Sequence, residues 1–291
     1  MKHLFLFILL AITTSTNAQK ALEFRLNVGD NFTVLQEAKQ LITQDINGVD
    51  QIIENDLAGV MYFEVIEKTK DNYTLSMSFK RLKMLMSSPS LGELSNSDTE
   101  SADSSNVTNM LFKGILNVPI TVVMEKSGKI KSVTGGDKLI SNMFTSAGID
   151  QPEIIEEARG QMEKQFGSEA LSNSFEQMTY FYPENQNSSQ KLWTNSYKGS
   201  LSAKNTWSLE ENSTEKVEIT GKATTTMTTI DENVIMTLTG NQQTTVIVNP
   251  KNGWFKEITV TGENTGDALF QSQNMTIPTQ ITSTITYKIL E

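Results

Sequence analysis

The chain of 291 residues contains no cysteine, and its single histidine is His3. Without cysteine there can be no disulfide bond, no thiolate nucleophile and no cysteine-ligated zinc site. A Ser-His-Asp triad needs a histidine as its general base, and the only histidine lies in an N-terminal segment that we expect to be removed. The side chains left for catalysis are carboxylates, lysines, tyrosines and serines.

Basic residues are also scarce, because 24 Lys and Arg stand against 34 Asp and Glu and give a formal net charge of −10. A surface that follows nucleic-acid phosphates needs clustered lysine and arginine, so we expect no nucleic-acid partner. Thirteen Phe, thirteen Met and three Trp supply apolar volume for a folded core. The length suits one large β-rich domain, which we assign to residues 19–291.

The N terminus has the three parts of a secretory signal peptide. Lys2 provides the charged start, residues 4–12 are an unbroken apolar run, and small residues precede a cleavage site between Ala18 and Gln19. We therefore assign residues 1–18 to a signal peptide and expect an exported, soluble protein, either periplasmic or secreted. The apolar run is shorter than the ~20 residues of a transmembrane helix, and without cysteine we expect no lipid anchor.

Long strands dominate both ends of the sequence. Residues 31–46 and 49–67 flank Asn47-Gly48, a dipeptide typical of a two-residue β-hairpin turn. Next, apolar and polar residues alternate with the period of two that indicates a half-buried strand; the apolar positions are Tyr73, Leu75, Met77 and Phe79. The C-terminal third is rich in threonine, whose branched side chain suits strands.

Helical spacing appears in the middle of the chain, over residues 137–178. The clearest helix covers residues 150–166, where Asp150 and Glu153 have the spacing of a capping box. Its apolar stripe consists of Ile154, Ala158, Met162 and Phe166. Before this region, the acidic and polar composition of residues 87–106 predicts a mobile loop, and residues 107–116 predict a strand.

Strands, then helices, then strands indicate an α+β protein that is mainly β. We expect one large, curved, antiparallel sheet resembling half a barrel. Two or three helices from the middle of the chain should pack on this sheet.

The sequence offers no convincing catalytic or metal-binding set. Adjacent carboxylates occur at Glu156-Glu157, Glu210-Glu211 and Asp231-Glu232, but the first pair lies on the polar side of a helix and the last in a turn. Neither position is dry enough to raise a carboxyl pKa, as a glycosidase acid requires. We therefore predict a non-enzymatic protein with no catalytic residues, no metal ligands and no cofactor.

Methionines recur at strand positions, and a flexible, polarizable side chain can line an adaptable apolar cavity or simply fill gaps in a core. If a cavity is present, we expect it between the sheet and the helices, holding an apolar or lipid-like ligand. The candidate ligand-binding residues are Met77, Phe79, Ile154, Ala158, Met162 and Phe166.

Several short motifs give the chain a family likeness. They are Gly29-Asp30, Gly128-Lys129-Ile130, Val133, Gly136-Asp137, Tyr182-Pro183 and Trp193, followed by the threonine-rich end. With these the chain resembles an uncharacterised family of exported proteins from Bacteroidota-type bacteria, known as a domain of unknown function. Many members look like lipoproteins, whereas this chain has no cysteine. The resemblance brings no activity and no site residues. At the level of fold alone, the expected sheet is similar to periplasmic lipoprotein carriers.

Three hypotheses about function follow. The first is an exported binding protein of the bacterial envelope that holds an apolar or lipid-like ligand. The second is a structural or protein-interaction module that uses exposed sheet edges, with a partner that the sequence does not identify. The third, which we favour least, is a carboxylate-based glycosidase.

The signal-peptide assignment predicts where the mature protein begins. N-terminal sequencing of the protein from an envelope or secreted fraction should start at Gln19, or be blocked there by cyclisation of the glutamine. Mature protein that retains Met1 in those fractions would contradict the assignment.

Overall fold

The computed structural model describes residues 21–103, 105–185, 190–231 and 233–290. The predicted signal peptide and its cleavage site at Ala18-Gln19 lie outside this part of the chain. Within it, twelve strands form one open antiparallel sheet, accompanied by four α-helices and one short 3₁₀ helix.

The strands are long at the centre of the sheet and short at its edges. They are β1 (Asn31–Ile46), β2 (Val49–Lys68), β3 (Asn72–Ser88), β4 (Gly92–Asp98), β5 (Ile120–Glu125), β6 (Ile130–Thr134), β7 (Leu192–Tyr197), β8 (Leu201–Asn212), β9 (Val217–Ile230), β10 (Val234–Val248), β11 (Phe255–Phe270) and β12 (Met275–Leu290). Their order across the sheet is β6-β5-β3-β2-β1-β12-β11-β10-β9-β8-β7, and β4 pairs separately with β3. The first and last long strands, β1 and β12, are therefore neighbours at the centre.

The helices are α1 (Val107–Lys113), α2 (Gly136–Ser146), α3 (Pro152–Phe166) and α4 (Ser168–Thr179). The last three connect β6 to β7, in the middle of the chain. The predicted fold class, a mainly β protein with a large antiparallel sheet and central helices, is confirmed.

Two local predictions between β3 and β5 are wrong. The expected loop over residues 87–106 contains β4, which turns back at Gly92 and pairs with β3. The expected strand over residues 107–116 is mostly helix α1, because the Asn106 side chain accepts a hydrogen bond from the Asn109 amide and caps the first turn. The Asn109 side chain in turn accepts a bond from the Asp98 amide, so helix and strand stabilise each other.

Helix α3 begins later than the capping-box pattern predicts. Pro152 is its first residue and Gln151 its N-cap, with no capping hydrogen bond from a side chain. Proline suits the first helical position because its fixed φ is helical and its missing N–H would be unpaired there. Asp150 is therefore outside the helix, and its predicted capping role is wrong.

One end of the sheet is closed by an aromatic cluster and by the segment that precedes β1. Trp254 stacks on Phe32 with ring centroids 4.3 Å apart, and Phe24 packs edge-on against Tyr182. The Phe24 amide donates to Lys126 O, and the next amide, of Arg25, donates to Asn252 O. The N-terminal segment thus ties the β5–β6 turn to the β10–β11 turn.

The two edges of the sheet are tied together by the end of α4 and the residues after it. On one side, Glu176 accepts a bond from the Ile130 amide, and Thr179 Oγ1 donates to Gly128 O. On the other side, Asn195 of β7 donates to Tyr180 O. Because one segment bonds to both edge strands or their turns, the sheet is held in a curve around the helices.

No helix in the described ranges is long and apolar enough to cross a membrane.

Gly128 tests how closely α4 approaches the β5–β6 turn. Its φ is 92°, and a Cβ added there would collide with the carbonyl oxygen of Thr179. Gly29 is the matched control, since its φ is 91° but an added Cβ meets nothing within 4 Å. We expect Gly29→Ala to cost about 1–2 kcal/mol for the left-handed backbone, and Gly128→Ala to cost a further ~1–3 kcal/mol for overpacking.

Urea denaturation of the two variants and the unmutated protein measures both costs. Equal destabilisation by the two substitutions would contradict the close approach of α4 to the turn.

Candidate functional site

A cavity of about 290 Å³ lies between the sheet and the helices. We call the sheet face that it contacts the inner face. The centre of the sheet forms its floor, where β3, β2, β1 and β12 run side by side. Floor residues include Leu57, Gly59 and Met61 from β2, Phe79 and Met84 from β3, and Ile285 from β12.

The roof of the cavity comes from α1, from the end of α3 and from α4. Phe112 of α1 and Phe166 of α3 are in contact, with ring centroids 6.1 Å apart. Helix α4 contributes Leu171, Phe175 and Met178, all buried in the core. The roof is therefore apolar and partly aromatic.

The polar groups around the cavity are neutral. Gln36, Gln165, Ser174 and Gln177 line it, and none of the lining residues is Asp, Glu, Lys or Arg. The one titratable group is Tyr287, and burial raises the pKa of its phenol, so it stays protonated at physiological pH. The cavity thus presents amides and hydroxyls within an apolar wall and no formal charge.

The structure separates the six residues that the sequence groups as ligand-binding. Phe79 and Phe166 line the cavity from opposite sides. Met77 lies on the same strand as Phe79 but is fully buried in the core, and Met162 is partly buried against that core.

The remaining two predicted positions lie away from the cavity. Ala158 is half-buried and is not among the cavity residues. Ile154 is 49% exposed, so the expectation that it packs on the sheet is wrong. The reason is that α3 buries no residue completely and contacts the core only near its C-terminal end, through Met162 and Phe166.

Sequence reasoning missed most of the floor, although a usable pattern was present. Asn47-Gly48 fixes the β1–β2 pairing, in which Val34 faces Met61, Gln36 faces Gly59 and Ala38 faces Leu57. Directly opposed residues share a sheet face, so that register places Gly59 and Leu57 beside the buried Met61. Of the helical roof residues, only Phe166 was predicted; those of α1 and α4 reach the cavity through the way the helices pack on the sheet, which no local pattern specifies.

A second, polar cavity of about 630 Å³ lies beside β7 and β8. Glu184 accepts hydrogen bonds from Lys129 Nζ at 2.8 Å and from Tyr180 Oη at 2.6 Å. The bond from Lys129, and then that from Tyr180, hold the pKa of Glu184 below its usual value. Burial raises the pKa of the Tyr180 phenol. Two of the charged residues that line this cavity, Lys129 and Glu184, are therefore paired with each other, while Lys204 lines it from β8.

Metal binding finds no support in the described residues, where no three Asp, Glu, His or Cys side chains come together as ligands.

Comparison with known families gives one match that covers more than half of the chain. The model of a family described as "Family of unknown function (DUF6263)" matches residues 70–255. The matched region includes β3, the helices and most of the C-terminal strands. No curated protein matches the chain.

Solved structures share only distant similarity with it. A structure titled "Lipid-protein interactions in lipovitellin" is 13% identical with a TM-score of 0.48; the match covers 91% of this chain and 25% of that one. The chain therefore spans about a quarter of that protein.

Two further structures match with lower TM-scores. The COG4313 outer membrane channel from Pseudomonas putida F1 is 9% identical, with a TM-score of 0.26 and coverage of 92% of this chain and 98% of that one. The translocator domain of the autotransporter NalP from Neisseria meningitidis is 6% identical, with a TM-score of 0.22 and coverage of 90% and 89%.

Proposed function

This protein belongs to DUF6263, a family of unknown function, and we propose that it binds an apolar, lipid-like ligand in the cavity between the inner face and the helices. We propose further that it is an exported, non-enzymatic protein of the envelope of a Bacteroidota-type bacterium. The export proposal rests on the apolar run at residues 4–12 and the small residues before Gln19.

The observation that carries the binding proposal is an uncharged, largely apolar cavity under a helical roof. Its volume of about 290 Å³ is near the lower end of the ~300–1,000 Å³ typical of small-molecule sites. At about 30 Å³ for each water-sized group, the cavity has room for roughly ten such groups. That is the size of a medium-length alkyl chain.

Helix α3 is the part of the roof that is attached most loosely. It buries no residue completely, and polar contacts at the β9–β10 turn hold its exposed side. Gln161 donates to Asp231 Oδ1 at 2.9 Å, and Lys164 Nζ is 3.8 Å from the same oxygen. Segments with few buried apolar contacts open at low free-energy cost, so we propose that the ligand enters beneath α3.

The alternative of an interaction module that adds strands at the sheet edges has less support. The end of α4 and the residue after it bond to both edges, through Glu176 to Ile130 on one side and Tyr180 to Asn195 on the other. An edge covered by a neighbouring segment is a poor template for another chain.

Gly59 offers a direct test, because it lines the cavity floor and has room for a side chain. A Cβ there would make ordinary contacts of 3.8 Å with Leu82 and 3.9 Å with Arg81 O. We expect Gly59→Leu to fill the cavity and weaken binding of the uncharged fluorophore N-phenyl-1-naphthylamine at least about tenfold, equivalent to ~1.4 kcal/mol. Fluorescence titration measures the effect.

The matched control is Ala58→Leu, on the adjacent residue of the same strand. Ala58 points to the opposite face of the sheet, where it lies across from Glu37 and Lys83. Binding should be unchanged in this variant. The proposal fails if the unmutated protein does not bind the fluorophore, or if the two variants bind it equally well.

A further inference from the structure

The inner face extends well beyond the cavity along the long central strands. On β1 it comprises Gln36, Ala38, Gln40, Ile42 and Gln44, and the register carries it onto both neighbours. The opposed residues on β2 are Gly59, Leu57, Asn55, Ile53 and Gln51. Those on β12 are Tyr287, Ile285, Ser283, Ile281 and Thr279.

None of these positions holds an ionisable side chain other than the buried tyrosine. The charged residues of the same strand segments all lie on the opposite face, where Glu37 and Lys39 of β1 lie across from Ala58 and Asp56 of β2. The pattern continues onto β11, whose inner-face residues opposite this part of β12 are Ile258, Val260, Gly262, Asn264 and Gly266. A sheet face exposed to water has no reason to lack charged side chains. The absence of charge from these rows therefore favours a face that contacts something other than water.

Neutral hydrogen-bonding groups lie immediately beyond the cavity. Gln40, Asn55 and Ser283 are opposed across β1, β2 and β12, one inner-face row past the cavity residues Leu57 and Ile285. Asn55 Nδ2 donates to Gln40 Oε1 at 3.3 Å.

The oxygen of the Asn55 side-chain amide has no partner. Its Oδ1 is buried and accepts no hydrogen bond. Turning the amide over would leave its NH₂ group in the same place, so one polar atom is unpaired in either orientation. A buried polar atom without a partner costs free energy, and a hydroxyl group of a ligand could supply the missing bond.

We infer that the ligand is an uncharged single-chain lipid with a hydroxyl-bearing head group. This inference rests on the proposed function and narrows the class of ligand. The alkyl chain occupies the cavity, and the head group meets the row formed by Gln40, Asn55 and Ser283. A carboxylate or ammonium at this row would lose its hydration without gaining a counter-charge, which disfavours ionic lipids.

Competition against bound N-phenyl-1-naphthylamine tests the inference. Three competitors share a chain of ~10 carbons, a length that suits the cavity volume: monodecanoylglycerol, decanoate and decyltrimethylammonium. At about pH 8 the carboxyl group of decanoate is ionised. We expect monodecanoylglycerol to displace half of the fluorophore at a concentration at least tenfold lower than either ionic competitor requires.

A charge placed on the inner face should change this order. Gln40→Glu should weaken competition by monodecanoylglycerol and make decyltrimethylammonium the better competitor. The matched control is Gln243→Glu, the same substitution on the outer face of β10, where Gln243 is exposed and opposes Thr261 and Lys222. The control should keep the order of the unmutated protein. Circular dichroism melting confirms that both variants are folded.

The outcomes separate the two proposals. If decanoate or decyltrimethylammonium competes as well as monodecanoylglycerol, the ligand class is wrong while the binding function stands. The same conclusion follows if the fluorophore binds and no single-chain lipid displaces it. If the fluorophore does not bind at all, the proposed function fails and the inference fails with it.

Discussion

The inner face of the large sheet has to be shielded from water, and the described helices are too short to cover all of it. Burial of apolar area is the main term that stabilises a folded chain. The sheet meets this demand by curving, so that its two edges are bridged by the segment from Glu176 to Tyr180. The remaining space between the curved floor and the helical roof is the cavity.

The closed end and the cavity both result from the need to shield the inner face from water. At the closed end, large rings fill the space between the two halves of the sheet, with Trp254 stacked on Phe32 and the N-terminal segment tied across the turns. Farther along the strands the roof consists of α1, the end of α3 and α4, and the floor includes a glycine, Gly59. The glycine on the floor and a loosely packed α3 leave room that side chains do not fill.

The parts that were predictable from the sequence are those set by local patterns. The alternation at Tyr73, Leu75 and Met77 gives a strand with one buried face, and Asn47-Gly48 gives the central hairpin. The failures have two causes. Asn106 caps a helix locally where apolar residues favoured a strand, and the stripe containing Ile154 is only partly used because α3 buries no residue completely. Cavity residues on α1 and α4 could not be predicted, because their positions depend on how the helices pack on the sheet.

The central claim is that the space under the helices holds an uncharged lipid rather than a void. Native mass spectrometry of the protein purified from its own host tests it most directly. The sample is ionised gently, and its mass is compared with that of the same sample after denaturation. The account predicts a native mass that exceeds that of the chain by one small, uncharged, organic-extractable molecule, which denaturation releases. A native mass equal to that of the bare chain, or an added mass that proves to be a partner protein, would contradict it.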